Sequence, residues 1–367
     1  MPYDQKKTVE ALRAFERGEI VVVMDDDGRE NEGDLIVSAT HCTPEKMAFI
    51  VRHTSGIVCA PMTRDEARRL NLAPMVADND APHSTAFTVS VDYKHGTTTG
   101  ISADDRTVTV RNLANPNSGA ADFVRPGHIF PLVAREGGVL MRSGHTEAAV
   151  DLCKLAGLPQ VGVICELVND DGTVMRGPQV SSFADRHGLK QVSVADLIAY
   201  RQRQETLVQR IDCFEIETPV GKAKAHVYAL PWEPMHHLAI VFGDIRDGDD
   251  VPVRLHSEDV VADVFGTGDS LMRSMAVMSD KQRGVVVYLR EGSVGVAHQA
   301  RLRPGEGSED HAEARLRESE WREIGLGAQI LRDLGISSID LLASRERHYV
   351  GLEGFGIRIA RTSILER

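Results

Sequence analysis

Ten consecutive residues, Asp25 to Asp34 (DDDGRENEGD), hold six carboxylates, one arginine and two glycines. Carboxylates so crowded repel one another, and a cation or a polyol ligand makes such a cluster tolerable. Acidic surface turns are common, so density alone decides little. Arg29 sets this stretch apart, because it stands as an anion hook beside oxygen ligands. Three further groups could act with it. Arg142-Ser143-Gly144-His145-Thr146 puts a cation, small residues and backbone donors at a helix start, which is a cradle for phosphate. Glu166 lies inside an apolar run, Val161 to Leu167, where an unpartnered carboxylate is costly; it must be paired, protonated or functional. His128 follows Arg125-Pro126-Gly127 and precedes a strand. His128 and His145 each also suit a plain structural role as hydrogen-bonded histidines. One imidazole with carboxylates and phosphate oxygens favours Mg²⁺ or Mn²⁺ over zinc.

These groups need elements to position them. Ile20 to Met24 is an apolar β-branched run of buried-strand type, so the acidic stretch reads as a loop at a sheet rim. A helix is expected over 4–17, with Val9, Leu12 and Phe15 on one face and Gly18 as terminator. Another is expected from Glu45 to His53, then a strand from Gly56 to Ala60. Thr63 with Glu66 makes a capping-box pattern before a short helix ending near Leu70. Residues 71–84 lack periodicity and read as a long loop. Strands follow at Phe87 to Val91, Ile129 to Ala134 and Val161 to Leu167, and Ser102 caps a helix. Glu147 to Ala156 is expected to be a helix that turns Ala148, Ala149, Leu152 and Leu155 inward. A helix from Ser193 fades into the polar run Arg201 to Glu205, read as a linker. Beyond it, strands are expected at Phe214 to Thr218, Ala225 to Tyr228, Leu238 to Phe242, Val285 to Leu289 and Ile339 to Ala343. A helix is expected from Gly327 to Leu334 and a mobile charged stretch over 303–320. Strands and helices mix without strict alternation, which predicts α+β, or mixed α/β, in two domains, 1–203 and 204–367.

The composition narrows the partners. A chain of 367 residues is long for one core and suits two. A net charge of -12 argues against nucleic acid or an anionic membrane as main partner. No apolar run approaches a membrane span, and the first residues, MPYDQKKTVE, lack a signal-peptide core, so a cytoplasmic protein is expected. Five cysteines, widely spaced and without a CxxC pair, suit reduced thiols.

The stretches DDDGRENEGDLI (25–36), RHTSGIVCAPM (52–62), TTTGISADDR (97–106), RPGHIFPL (125–132), RSGHTEAAVDL (142–152) and CELVNDDGTV (165–174) follow one another in a known order. At these residues the chain resembles 3,4-dihydroxy-2-butanone 4-phosphate synthase, an enzyme of riboflavin biosynthesis, over about residues 5–203. The resemblance implies that family's fold and a lyase reaction. D-ribulose 5-phosphate would be converted to L-3,4-dihydroxy-2-butanone 4-phosphate and formate. It also implies Mg²⁺ or Mn²⁺, two ions per site, and a homodimer with active sites at its interface. Carried over to matching positions, Glu30 and His145 would hold the metal. Arg29, Glu30, Asp34, Arg142, Ser143, Gly144, His145, Thr146 and Glu166 would bind substrate. His128 and Glu166 would be essential to catalysis, with Glu32 and Asp34 as further acid–base groups. Ser143 departs from the pattern, where many members have a second glycine.

The second half resembles GTP cyclohydrolase II through VRLHSE (253–258), RGVVVYLREG (283–292), GLGAQILRDLGI (325–336) and GLEGFGI (351–357). That enzyme holds zinc through three cysteines, the first directly after HSE. Here Asp259 follows HSE, and no cysteine occurs after Cys213. Without thiolates there is no tetrahedral zinc to activate water. Glu291 to Gly295 departs from an EGRG-type segment, and Glu320 stands where an aspartate precedes the arginine matched by Arg322. The expectation is a fold-preserving domain with no zinc and no cyclohydrolase activity. The competing expectation is a regulatory or scaffold protein of flavin biosynthesis with neither half active, against which the intact acidic stretch speaks.

Overall fold

The structure is a computed structural model that describes residues 5–25, 30–79, 85–231, 235–265, 269–290, 325–343 and 357–365. The chain divides into two compact units, Met1–Tyr200 and Arg201–Arg367.

In the first unit, strands β1 (Val21–Met24), β2 (Gly33–Ser38), β3 (Cys59–Met62), β4 (Val91–Tyr93), β5 (Phe123–Val133), β6 (Gly162–Glu166) and β7 (Lys190–Ser193) form one mixed sheet. Its order is β4-β5-β3-β6-β2-β1-β7. The helices are α1 (Gln5–Glu16), α2 (Pro44–His53), α3 (Arg64–Arg69), α4 (Ala103–Leu113), α5 (His145–Leu155), α6 (Pro178–His187) and α7 (Val194–Gln204). Caps set several of them. Thr43 Oγ1 accepts from Lys46 N–H, Thr63 Oγ1 from Glu66 N–H, and Ser102 Oγ from Asp105 N–H.

Side chains alternate across a strand, so β2 has two differently employed faces. Leu35 and Val37 join Val22, Val163 and Cys165 in the main core, against Met47 and Ile50 of α2, Val110 of α4 and Phe183 of α6. Asp34 and Ile36 point the other way, toward α5, which packs on β1, β2, β3 and β6. The sheet is therefore covered on both faces, and the acidic residues at its rim lie on the face of α5.

Several expectations shift. The strand placed over Phe87 to Val91 lies at Val91–Tyr93, and the one over Gly56 to Ala60 lies at Cys59–Met62. Strand β5 begins six residues earlier than Ile129, at Phe123. The run Arg201 to Glu205 is no linker in its first four residues: α7 continues through Gln204. Arg201 is buried, and its guanidinium pairs with Glu205 at 2.7 Å. An arginine bound by a carboxylate four residues on supports a helix, which outweighs the polar texture.

The second unit carries β8 (Gln209–Thr218), β9 (Gly221–Ala229), β10 (His236–Gly243), β11 (Val251–Ser257), β12 (Arg283–Leu289), β13 (Ser338–Ala343) and β14 (Arg358–Ile364), ordered β14-β13-β11-β12-β10-β9-β8. Leu326, Ala328, Ile330 and Leu331 of a helix at 325–333 cover one face. Met278 of α8 (Asp269–Asp280) covers the other with Leu271 and Met275. Both units are mixed α/β. The stretch 303–320 lies outside the described residues.

Candidate functional site

Strands β1 and β2 pair as an antiparallel hairpin with Val23 opposite Asp34. Asp34, read from sequence as a loop residue, therefore sits inside a strand and is buried. The loop end is tied by Asp25, whose carboxylate accepts the N–H groups of Glu30 at 3.1 Å and Glu32 at 2.8 Å. Residues 26–29, Arg29 among them, lie outside the described residues.

His145 is the first residue of α5, which rests on that hairpin. Its Nε2 lies 3.2 Å from the Val23 carbonyl oxygen, and its Nδ1 lies 3.7 Å from Asp34 Oδ1. Asp25, Glu30 and His145 each offer one ligand atom, and these atoms lie within 4.8 Å of one another. Among the described residues this is the one such trio. Glu30 and His145 are thus brought together, and Asp25 of the same acidic stretch joins them. Two carboxylate oxygens and one imidazole nitrogen suit a hard divalent cation. Beside them Asp34 Oδ1 is buried without a hydrogen-bond partner, an orphaned acceptor that fits a nearby cation.

Asp34 and Glu166 face each other across the β2–β6 ladder. Burial, and after it the charges of Glu166, Glu30, Asp25 and Glu32, hold the Asp34 carboxyl well above the ordinary range. Glu166 is half-buried, not enclosed as the apolar run suggested, and its Oε2 accepts from Ser55 Oγ at 2.8 Å. Glu32 pairs with Arg176 at 2.8 Å. Burial raises its carboxyl, an effect that the Arg176 hydrogen bond opposes. Burial is also the main reason that the thiols of Cys59 and Cys165 are raised, Cys165 to about 11, with Glu166 and Asp34 adding to both. Those thiols stay protonated at neutral pH. His128 stands on β5 with its Nδ1 2.7 Å from Asp92 Oδ2.

Arg142 is buried and bidentate in its loyalties: Nη1 donates to Glu147 Oε2 at 2.7 Å and Nη2 to Thr85 Oγ1 at 3.1 Å. Gly144 makes this possible, because a Cβ there would stand 2.5 Å from Arg142 Nη1. Ser143, Gly144 and Thr146 flank His145 at the start of α5, where the first N–H groups of a helix lack internal acceptors. Asp25, Ser55, Asp92 and Arg176 were not singled out as site residues from the sequence. Asp25 could have been, since it ends the strand that supplies the acidic stretch. The others meet their partners only through the fold.

Removing the buried charge exposes its cost. Asp34→Asn should raise the stability of the cation-free protein, since it ends repulsion among desolvated carboxylates. Thermal melts in EDTA check this, and a lowered Tm would count against the account of Asp34.

In the second unit, the His256 imidazole Nε2 lies 2.9 Å from Asp263 Oδ1, and Tyr288 O–H donates to Asp263 Oδ2 at 2.8 Å. Asp259 N–H donates to the same carboxylate at 3.0 Å. Burial alone would raise the Asp263 carboxyl, but the hydrogen bonds from Tyr288, Asp259 and His256 outweigh it and hold it below its usual range. Residues 291–295, Glu320, Arg322 and 351–356 lie outside the described residues.

A mixed α/β domain with a cation-type trio at one sheet end, followed by a second mixed-sheet domain, is the class of architecture this chain presents. Residues 9–200 match the family model of 3,4-dihydroxy-2-butanone 4-phosphate synthase, and residues 209–363 match that of GTP cyclohydrolase II. The chain belongs to the 3,4-dihydroxy-2-butanone 4-phosphate synthase family and carries a GTP cyclohydrolase II domain fused behind that synthase domain. It is 48% identical over 364 residues to the bifunctional riboflavin biosynthesis protein RIBA 1, chloroplastic, of Arabidopsis thaliana, covering 95% of this chain and 67% of that one. The crystal structure of RibBX, a two-domain 3,4-dihydroxy-2-butanone 4-phosphate synthase from A. baumannii, matches with TM-score 0.81 and 36% identity, covering 98% of this chain and 99% of that one. A 3,4-dihydroxy-2-butanone 4-phosphate synthase in complex with two magnesium ions matches with TM-score 0.52 and 47% identity, covering 53% of this chain and 96% of that one. No helix among the described residues is long and apolar enough to cross a membrane.

Proposed function

We propose that the first unit converts D-ribulose 5-phosphate to L-3,4-dihydroxy-2-butanone 4-phosphate and formate, a reaction of riboflavin biosynthesis, using Mg²⁺ or Mn²⁺. The observation that carries this reading is the meeting of Asp25, Glu30 and His145 beside Asp34 and Glu166, in a chain whose residues 9–200 match the synthase family. Glu30 and His145 would hold the cation, with Asp25 beside them. A divalent cation bound there stabilises negative charge developing on the sugar oxygens. A ketose phosphate must first lose a proton next to its carbonyl, then lose water, shift its carbon skeleton and release formate. Each step moves a proton and needs a placed acid or base. Asp34, its carboxyl raised by burial and by its neighbours, is suited to hold a proton and return it. Glu166, oriented by Ser55, and His128, oriented by Asp92, are the groups we assign to further transfers. Glu32 is the fourth acid–base candidate, turned by Arg176. Ser143, Gly144 and Thr146 at the start of α5, with Arg29, would bind the substrate and its phosphate, and a homodimer is the proposed working assembly.

The second unit is proposed to lack cyclohydrolase activity and zinc. Asp259 stands where the zinc cysteine of that family follows HSE, and the chain has no cysteine beyond Cys213. The match of residues 209–363 and the word bifunctional in the name of the Arabidopsis relative favour the opposite reading. One set of assays separates them. The full chain should release formate from ribulose 5-phosphate with Mg²⁺, should release none from GTP, and should contain no stoichiometric zinc. A chain ending at residue 209 should keep lyase activity. Formate from GTP would overturn the reading of the second unit, and lack of formate from ribulose 5-phosphate that of the first.

A further inference from the structure

His128 owes its place to an irregularity. Strands β4 and β5 are antiparallel, yet Val91 pairs with Ile129 and Asp92 with Val124, so Arg125, Pro126, Gly127 and His128 stand out of the ladder. A residue taken out of a ladder loses the strand acceptor for its N–H. Asp92 supplies one, its Oδ1 accepting the His128 N–H at 2.8 Å. The other oxygen of the same carboxylate is the one 2.7 Å from the His128 ring Nδ1. One side chain thus holds both the backbone and the ring of one residue.

The surroundings give this pair a direction. The Asp92 side chain is 9% exposed and that of His128 is 42% exposed, so the ring leads outward from a buried carboxylate. Gly100, at φ +90, closes the back: a Cβ there would stand 2.0 Å from Asp92 Oδ2 and 2.7 Å from His128 Nδ1. His128 stands on the strand next but one to that of Glu166, since β5 pairs with β3 and β3 with β6. Cys59 pairs with Phe130 on one side and Ile164 on the other. Past the N-terminal end of β3, Glu166 lies opposite Ser55, whose N–H donates to the Glu166 carbonyl at 2.9 Å. Arg106 of α4 donates to the Gly56 carbonyl at 3.2 Å.

We propose that Asp92 is a positioning residue that holds neutral His128 as the Nδ1–H tautomer and so presents Nε2 as the proton acceptor of the site. A carboxylate only accepts hydrogen bonds, so the nitrogen facing it must carry the proton. The opposite ring nitrogen then bears the lone pair, as in other imidazoles oriented by a carboxylate. This rests on the reading of His128 as an acid–base group, and the test keeps the two apart.

Asp92→Asn is the discriminating variant because it conserves shape. Its carboxamide has one oxygen, and the His128 N–H, outside the ladder, takes it. The amide N–H₂ must then face Nδ1, which forces the proton onto Nε2. ¹⁵N-histidine NMR of the full chain reads this directly, with the His128 signals assigned by their loss in His128→Ala. The wild type should show Nδ1–H and Asp92→Asn should show Nε2–H. Formate release should fall about 10²-fold in kcat, the scale of a lost acid–base contribution, with KM changed less than about threefold. Asp92→Ala should lower kcat similarly, and thermal melts of both variants show whether they fold. A wild type with Nε2–H, an Asn variant that keeps Nδ1–H, or an inverted tautomer with unchanged kcat would each overturn the proposal. Unchanged turnover in His128→Ala would instead remove the acid–base reading of His128, while the tautomers would still decide whether Asp92 sets the ring.

Discussion

Glu30→Gln and His145→Ala should each lower formate release from ribulose 5-phosphate by at least about 10³-fold, because each would take one ligand from the proposed cation that stabilises developing charge. The two residues lie in the trio with Asp25 whose ligand atoms fall within 4.8 Å of one another. Their melts should stay close to wild type in EDTA, since neither variant removes a large apolar contact. Wild-type activity should vanish in EDTA and return with Mg²⁺ or Mn²⁺. Isothermal titration with Mg²⁺ should show the loss of binding in both variants. Full turnover in metal-free buffer would end this account, and so would tight Mg²⁺ binding by the double variant.

Arg142→Ala should act on stability as well as on substrate. Arg142 and Glu147 form a buried pair, 9% and 1% exposed in their side chains, at 2.7 Å. Removing one partner leaves a buried charge uncompensated, which costs about 3–5 kcal/mol. Glu147 also accepts the Arg135 N–H at 3.0 Å, so it does not simply turn away. Adding Glu147→Gln to Arg142→Ala should return part of that loss in urea unfolding, while any rise in KM persists. The double variant thus separates the pair from phosphate binding. Stability equal to wild type in Arg142→Ala alone would show that the pair carries no such weight.

What could be read from the chain without its fold follows the range of the interactions. Helices α2, α3 and α4 announce themselves through Thr43, Thr63 and Ser102, whose caps act within three residues. Helix α6 has no such cap, although Val180, Phe183 and Ala184 have helical spacing between Pro178 and Gly188. Six carboxylates in ten residues look like surface, so the sequence reads Asp34 as a loop residue, and only its pairing with Val23 and Glu166 shows a strand. The meeting of Glu30 with His145 is legible through motif order and not through spacing, since they stand 115 positions apart. Asp92 beside His128 and Arg176 beside Glu32 left no signal, because charges common on any surface are selected by sheet register alone.

The pairing of Asp34 with Glu166 also proofreads the fold. Were β2 to slip by one residue against β6, Asp34 would exchange faces with Leu35, which lies in the main core beside Val22 and Cys165. A carboxylate would then enter an apolar layer that offers it neither cation nor hydrogen bond, at a cost of several kcal/mol. The misaligned chain is rejected by the same charge that the aligned chain has to bear. An apolar residue at position 34 would leave both alignments comparably comfortable, and a slow-forming, catalytically dead hairpin would become a competitor for the native one.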